Sequence, residues 1–145
     1  MEDLHSLFHG LHQLSRELTK GLNEVLLPFE LYSSQWSVIY VLKKNGPLTQ
    51  KELADYLAIE APPMTRTIQK LVTNGYVSQV KGEDKRTKYI MLTEKAFVLY
   101  PQWEAAVLQM NQQLLNGFPK SSQDKLTSLI KEWKAQLANR GKEIE

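Results

Sequence analysis

Two sets of side chains stand out by type and spacing. Pro62, Arg66, Gln69, Lys70 and Thr73 recur at intervals of three and four. At about 100° per residue they share one helix face. Arginine, glutamine and lysine on such a face can donate to base edges in a major groove or to phosphates. The second set is Lys81, Lys85, Arg86 and Lys88, in and beside the stretch GEDKRTK at Gly82–Lys88, which holds five charges in seven positions. A cationic finger suits a phosphate backbone or a narrow minor groove, where negative potential concentrates and favours arginine. The plainer alternative is a solvated hairpin tip beside ordinary surface charges.

The distribution of charge favours the first reading. The whole chain of 145 residues has a net charge of only +2. Residues 61–92 carry six basic and two acidic groups, net +4, whereas residues 1–30 carry two basic and five acidic groups, net −3. A basic patch confined to one segment is the electrostatic footprint of a nucleic-acid surface.

These residues need elements to hold them. Leu4, Leu7, Phe8, Leu11, Leu14, Leu18, Leu22, Val25 and Leu26 form one face of a long first helix that ends before Pro28. Such a stripe suggests packing against a partner subunit as well as its own domain. SSQWSVIYVLKKNGPLT reads as a second helix capped by Ser33 or Ser34 and stopped at Asn45-Gly46-Pro47, with Lys43 and Lys44 at the negative end of its dipole. Thr49 followed by Glu52 is a capping box for a third helix. A fourth helix follows, with Pro62 and Pro63 in its first turn, where missing N–H groups cost little. Its apolar face is Met64, Ile68, Leu71 and Val72, and Asn74-Gly75 ends it.

YVSQV and KYIMLT then flank the charged tip as a two-stranded hairpin. Thr93 can cap a fifth helix with the stripe Ala96, Tyr100, Trp103, Val107, Met110 and Leu114, and Pro101 predicts a kink near Phe97–Pro101. Ser121 or Ser122 starts a last helix with Leu126, Leu129, Ile130, Trp133 and Leu137 on its buried face. The predicted fold is therefore mainly α with a small β-hairpin. A winged helix-turn-helix domain at 31–95 is flanked by long dimerisation helices at 1–30 and 96–145.

At LTQKELADYLAIEAPPMTRTIQKLVTNGYV, followed by DKRTKYIMLTEKA, the sequence resembles the MarR family of bacterial transcription regulators. The residues that carry the resemblance are Leu48-Thr49, Thr65-Arg66, Leu71, Gly75, Asp84, Arg86 and Leu92-Thr93, and it extends over the whole chain. It implies a homodimer built from the first and last two helices and binding to palindromic double-stranded operator DNA. It adds Thr65 to the DNA-binding set, and in the family pattern Asp84 orients Arg86. It also implies release by a small-molecule effector, with an aromatic one as a candidate, held between the dimer helices and the winged domain. His9, His12, Trp36 and Tyr40 are the residues of this chain suited to that cavity; the alternative for Trp36 and Tyr40 is core packing. Pro62-Pro63 depart from the serine or threonine frequent in the family. Their rings serve as helix starters or touch thymine methyl groups. Ala96 stands where glycine is frequent.

Other chemistry is poorly represented. The chain has no cysteine, which removes disulfides, thiol switches and cysteine-ligated zinc. No phosphate loop or nucleophile elbow appears, so an enzyme is not expected, nor a cofactor. His5, His9 and His12 share helical spacing, which leaves a metal-responsive regulator as one alternative. A winged module that binds another protein is a second. The N-terminus lacks the pattern of a secretory signal, and a cytoplasmic location with no membrane contact is expected.

Overall fold

The computed structural model describes residues 3–144. The chain divides into two compact units, one ending at Met110 and one beginning at Asn111. Helix α1 spans Leu4–Leu26, and Asp3 caps it by accepting the Ser6 N–H at 2.9 Å. A 3₁₀ turn at Leu27–Phe29 leads to α2, Ser33–Asn45. Then come β1 (Leu48–Thr49), α3 (Gln50–Leu57), α4 (Ala61–Thr73), β2 (Val77–Lys81) and β3 (Lys88–Leu92). Helix α5, Glu94–Leu114, runs unbroken through Pro101, and α6 spans Lys120–Ile144.

Several local expectations need correction. The predicted hairpin is a three-stranded antiparallel sheet in the order β1-β3-β2, because Leu48 and Thr49 pair with Ile90 and Tyr89. A two-residue strand has no periodicity to reveal it. Neither Ser33 nor Ser34 caps α2. Instead Tyr32 occupies the N-cap, its N–H donating to the buried Gln35 Oε1 at 2.9 Å, and the Ser33 N–H donates to Asn23 Oδ1 at 2.7 Å. The predicted capping box of α3 is present. Thr49 Oγ1 accepts the Glu52 N–H at 3.1 Å, and Glu52 Oε1 accepts the Thr49 N–H at 3.0 Å.

The core of the first unit joins Leu26, Val38, Ile39, Leu42, Leu53, Met64, Ile68, Leu71, Ile90 and Trp103. Aromatic pairs extend it. Trp36 stacks on Tyr100 at 5.5 Å, and Tyr76 meets Trp103 edge to face at 5.0 Å. Val72, assigned to the apolar face of α4, is 43% exposed instead. It lies one position beyond Leu71, which alone points inward at that turn.

Along α1, Leu4, Leu7, Phe8, Leu11, Leu14 and Leu18 remain exposed. Within the second unit, the expected buried face of α6 is also open, with Leu129 60% and Leu137 54% exposed. The apolar period was read correctly, but these leucines stay exposed rather than buried. No helix among the described residues is long and apolar enough to cross a membrane.

Candidate nucleic-acid interface

Helix α4 presents the face that its spacing predicts. Pro62, Arg66, Gln69, Lys70 and Thr73 are all exposed, while Met64, Ile68 and Leu71 fix the opposite face in the core. Pro63 and Thr65 are half-buried. The Thr65 hydroxyl is already engaged. It donates to the Ala61 carbonyl at 3.0 Å and accepts from Gln50 Nε2 at 2.7 Å. Gln50 thereby ties the first turn of α3 to the first turn of α4. Between the two helices, Ala58 turns the chain in the left-handed region at φ 55°.

The other end of α4 is held by a cluster around Thr93. The Thr93 hydroxyl donates to the Gly75 carbonyl at 2.6 Å and accepts the Ala96 N–H at 3.2 Å. Its own N–H donates to the Tyr76 carbonyl at 3.0 Å. Gly75 sits at φ 79°, a conformation that favours glycine. Lys95 Nζ donates to the Asn74 carbonyl at 2.9 Å and lies 4.9 Å over the Tyr76 ring. A cation at the end of a helix also complements its dipole. One threonine thus joins the end of α4, the start of β2, the end of β3 and the start of α5.

The wing is built by Asp84. Its Oδ1 accepts the backbone N–H of Arg86 at 2.6 Å and of Thr87 at 3.0 Å, and Oδ2 accepts the Thr87 hydroxyl at 3.3 Å. The Arg86 N–H, and then the Thr87 N–H, hold the carboxyl below its ordinary pKa of 3.8. Asp84 therefore positions the backbone that carries Arg86, and the guanidinium is left exposed. Gly82 closes the loop, its N–H donating to the Thr87 carbonyl at 2.7 Å. A Cβ at Gly82 would lie 2.8 Å from the Tyr89 ring, so a larger residue would displace that ring.

Strand register then sets Lys81 directly opposite Lys88. Like charges in that arrangement repel at close range. Lys85 and Arg86 stand at the tip between them, exposed as both lysines are. Among the described residues the one ion pair is Lys120–Asp124, so none of these four cations is neutralised by an acidic side chain.

The remaining candidates lie elsewhere. His9 and His12 are on the exposed surface of α1. Trp36 is buried against Tyr100, and Tyr40 is tilted against Trp36 at 6.2 Å with Lys44 Nζ 5.3 Å from its ring centroid. A cavity of about 570 Å³ beside the end of α4 is lined by Tyr32, Lys70, Tyr76 and Lys95 among others, and by none of those four. Among the described residues, no three His, Asp or Glu side chains are grouped so as to hold a metal. Sequence reasoning missed Gln50, whose single exposed-looking amide carries no pattern, and the sheet contacts of Gly82 with Tyr89.

Comparison with known proteins supports the same architecture. A profile described as MarR family matches residues 31–87. A Bacillus subtilis (strain 168) protein named as an uncharacterised HTH-type transcriptional regulator, YwoH, is 43% identical over 125 residues, which is 86% of this chain and 91% of the relative. A cysteine-to-serine mutant of MarR from E. coli, solved with operator DNA, superposes with a TM-score of 0.82 at 23% identity, covering 90% of this chain and 98% of that one. A MarR transcriptional regulator from Methanosarcina mazei Go1 gives 0.82 at 26% identity, over 95% of this chain and 94% of that one.

Proposed function

This chain belongs to the MarR family of winged-helix transcription regulators, and on that premise we propose that it binds palindromic double-stranded DNA as a homodimer and represses transcription until a small molecule releases it. The observation that carries the DNA reading is the wing: Lys81 opposes Lys88, with Lys85 and Arg86 at the tip, and among the described residues no acidic side chain forms an ion pair with any of the four. A polyanion would relieve that repulsion and release its own counterions in doing so. Arg66, Gln69, Lys70 and Thr73 on the outer face of α4 would enter the major groove, while the wing follows the backbone or the adjoining minor groove.

The dimer part of the proposal rests on the exposed leucines of α1 and on those of α6. Exposed apolar faces of this kind mark interaction surfaces, and a second copy of the chain would bury them. Two copies of α4 would then lie about one helical turn of DNA apart. An effector would act by binding more tightly to the spacing that cannot engage both half-sites.

Selection of bound fragments from a random duplex pool tests these points together. A palindromic consensus with half-sites about ten base pairs apart is the expected outcome. Affinity for the selected duplex should fall steeply between low and moderate salt. An affinity insensitive to salt would mean that phosphate neutralisation is not the driving interaction, and would sink the DNA reading.

A further inference from the structure

Resting on the DNA-binding reading above, we propose that the first turn of α4 recognises thymine in the major groove through its C5-methyl group, with the Pro62 ring as the contacting surface. The basis is an account of hydrogen-bond donors at this turn. Ala61, Pro62 and Pro63 open the helix, and neither proline has an N–H. The Met64 N–H donates to the Glu60 carbonyl at 3.1 Å. The Thr65 hydroxyl, the one side-chain donor of the turn, is spent on the Ala61 carbonyl, and the Gln50 amide that approaches it gives one of its two N–H groups to that same hydroxyl.

Of the backbone N–H groups of this turn only that of Ala61 is left, and it stands beside Glu60, whose side chain forms no cap hydrogen bond and whose charge disfavours a phosphate. A helix start that ordinarily attracts anions is disarmed here. What this turn does present to solvent is apolar: Ala61 and the ring of Pro62 are exposed. Hydrogen-bonding side chains begin one turn later, at Arg66 and Gln69. On the base edges of the major groove, the single apolar group is the methyl of thymine. Cytosine carries only a C–H where thymine has its methyl, and the amino, carbonyl and N7 groups of the other edges would be desolvated against the proline without a partner.

The test uses the full-length protein and the duplex it selects from a random pool, with each thymine replaced in turn by deoxyuridine, which lacks only the methyl group. One thymine in each half-site should weaken binding about four-fold when so replaced, the effect of withdrawing one carbon from a buried contact. In the Pro62→Ser variant, where serine is well accepted near a helix start, the same replacement should have no effect. Equal binding after every replacement overturns the inference while leaving DNA binding intact. A uracil effect that persists in Pro62→Ser overturns the assignment to Pro62. Failure to select any duplex overturns the DNA-binding reading and this inference with it.

Discussion

Replacing Thr93 by valine should cost about 2 kcal/mol of folding stability. Valine keeps the shape and the β-branch but removes the hydroxyl, so the change isolates two hydrogen bonds. The first is the N-cap of α5, where Thr93 Oγ1 accepts the Ala96 N–H at 3.2 Å; losing such a cap costs about 1 kcal/mol. The second is the 2.6 Å donation to the Gly75 carbonyl, in a half-buried site where water restores little; a bond of this kind contributes about 1 kcal/mol. For a chain of this length, the sum lowers the melting temperature by roughly 6 °C. Urea unfolding at one fixed protein concentration measures the effect, since the stability of a chain that dimerises as proposed would depend on concentration. Because Gly75 ends α4, duplex affinity should also fall, by a larger factor than for an equally destabilising change in α6. A loss below about 0.5 kcal/mol, or no change in binding, would show that Thr93 does not couple the helix to the wing.

Arg86→Ala should weaken binding to all duplexes alike and reduce the salt slope by about one, whereas Gln69→Ala should change the ranking among sites; competition titrations at several salt concentrations separate the two. Lys88→Gln should act with opposite signs on folding and binding. It removes the repulsion with Lys81 and stabilises the free protein by roughly 0.3 kcal/mol, yet weakens duplex binding, as paired melting and anisotropy measurements would reveal. Asp84 is held ionised by the Arg86 and Thr87 N–H groups, so its folded pKa lies below the ordinary 3.8. The stability it contributes is complete above that ordinary value and disappears as pH falls through the lower folded value. The difference in melting temperature between the parent and Asp84→Ala should therefore be full at pH 6 and close in strong acid. Sedimentation at micromolar concentration should find a dimer, and a monomer would leave the stripes of α1 and α6 without an explanation.

Much of this molecule is legible without coordinates because its signals are local. Helix periods, the Thr49–Glu52 box, the two prolines tolerated in the first turn of α4 and the glycine at its end each follow from neighbours within four residues. The outward face of Arg66, Gln69 and Lys70 follows from the same 3.6-residue period that buries Met64, Ile68 and Leu71. The charged tip between two β-rich runs made a finger the natural reading.

Long-range relations had no such signal. That Leu48 and Thr49 join the sheet, that Lys81 faces Lys88, and that Thr93 ties α4 to α5 depend on strand register, which brings together residues far apart in sequence. The role of Asp84 also sharpened only in three dimensions: the carboxylate grips the backbone of Arg86 and Thr87. Composition and period determined which residues lie on which face, because both are properties of a single helix or strand. Tertiary structure alone decided which hydroxyls and amides remain free to meet a ligand, because a hydrogen bond between Gln50 and Thr65 exists only once two helices have packed.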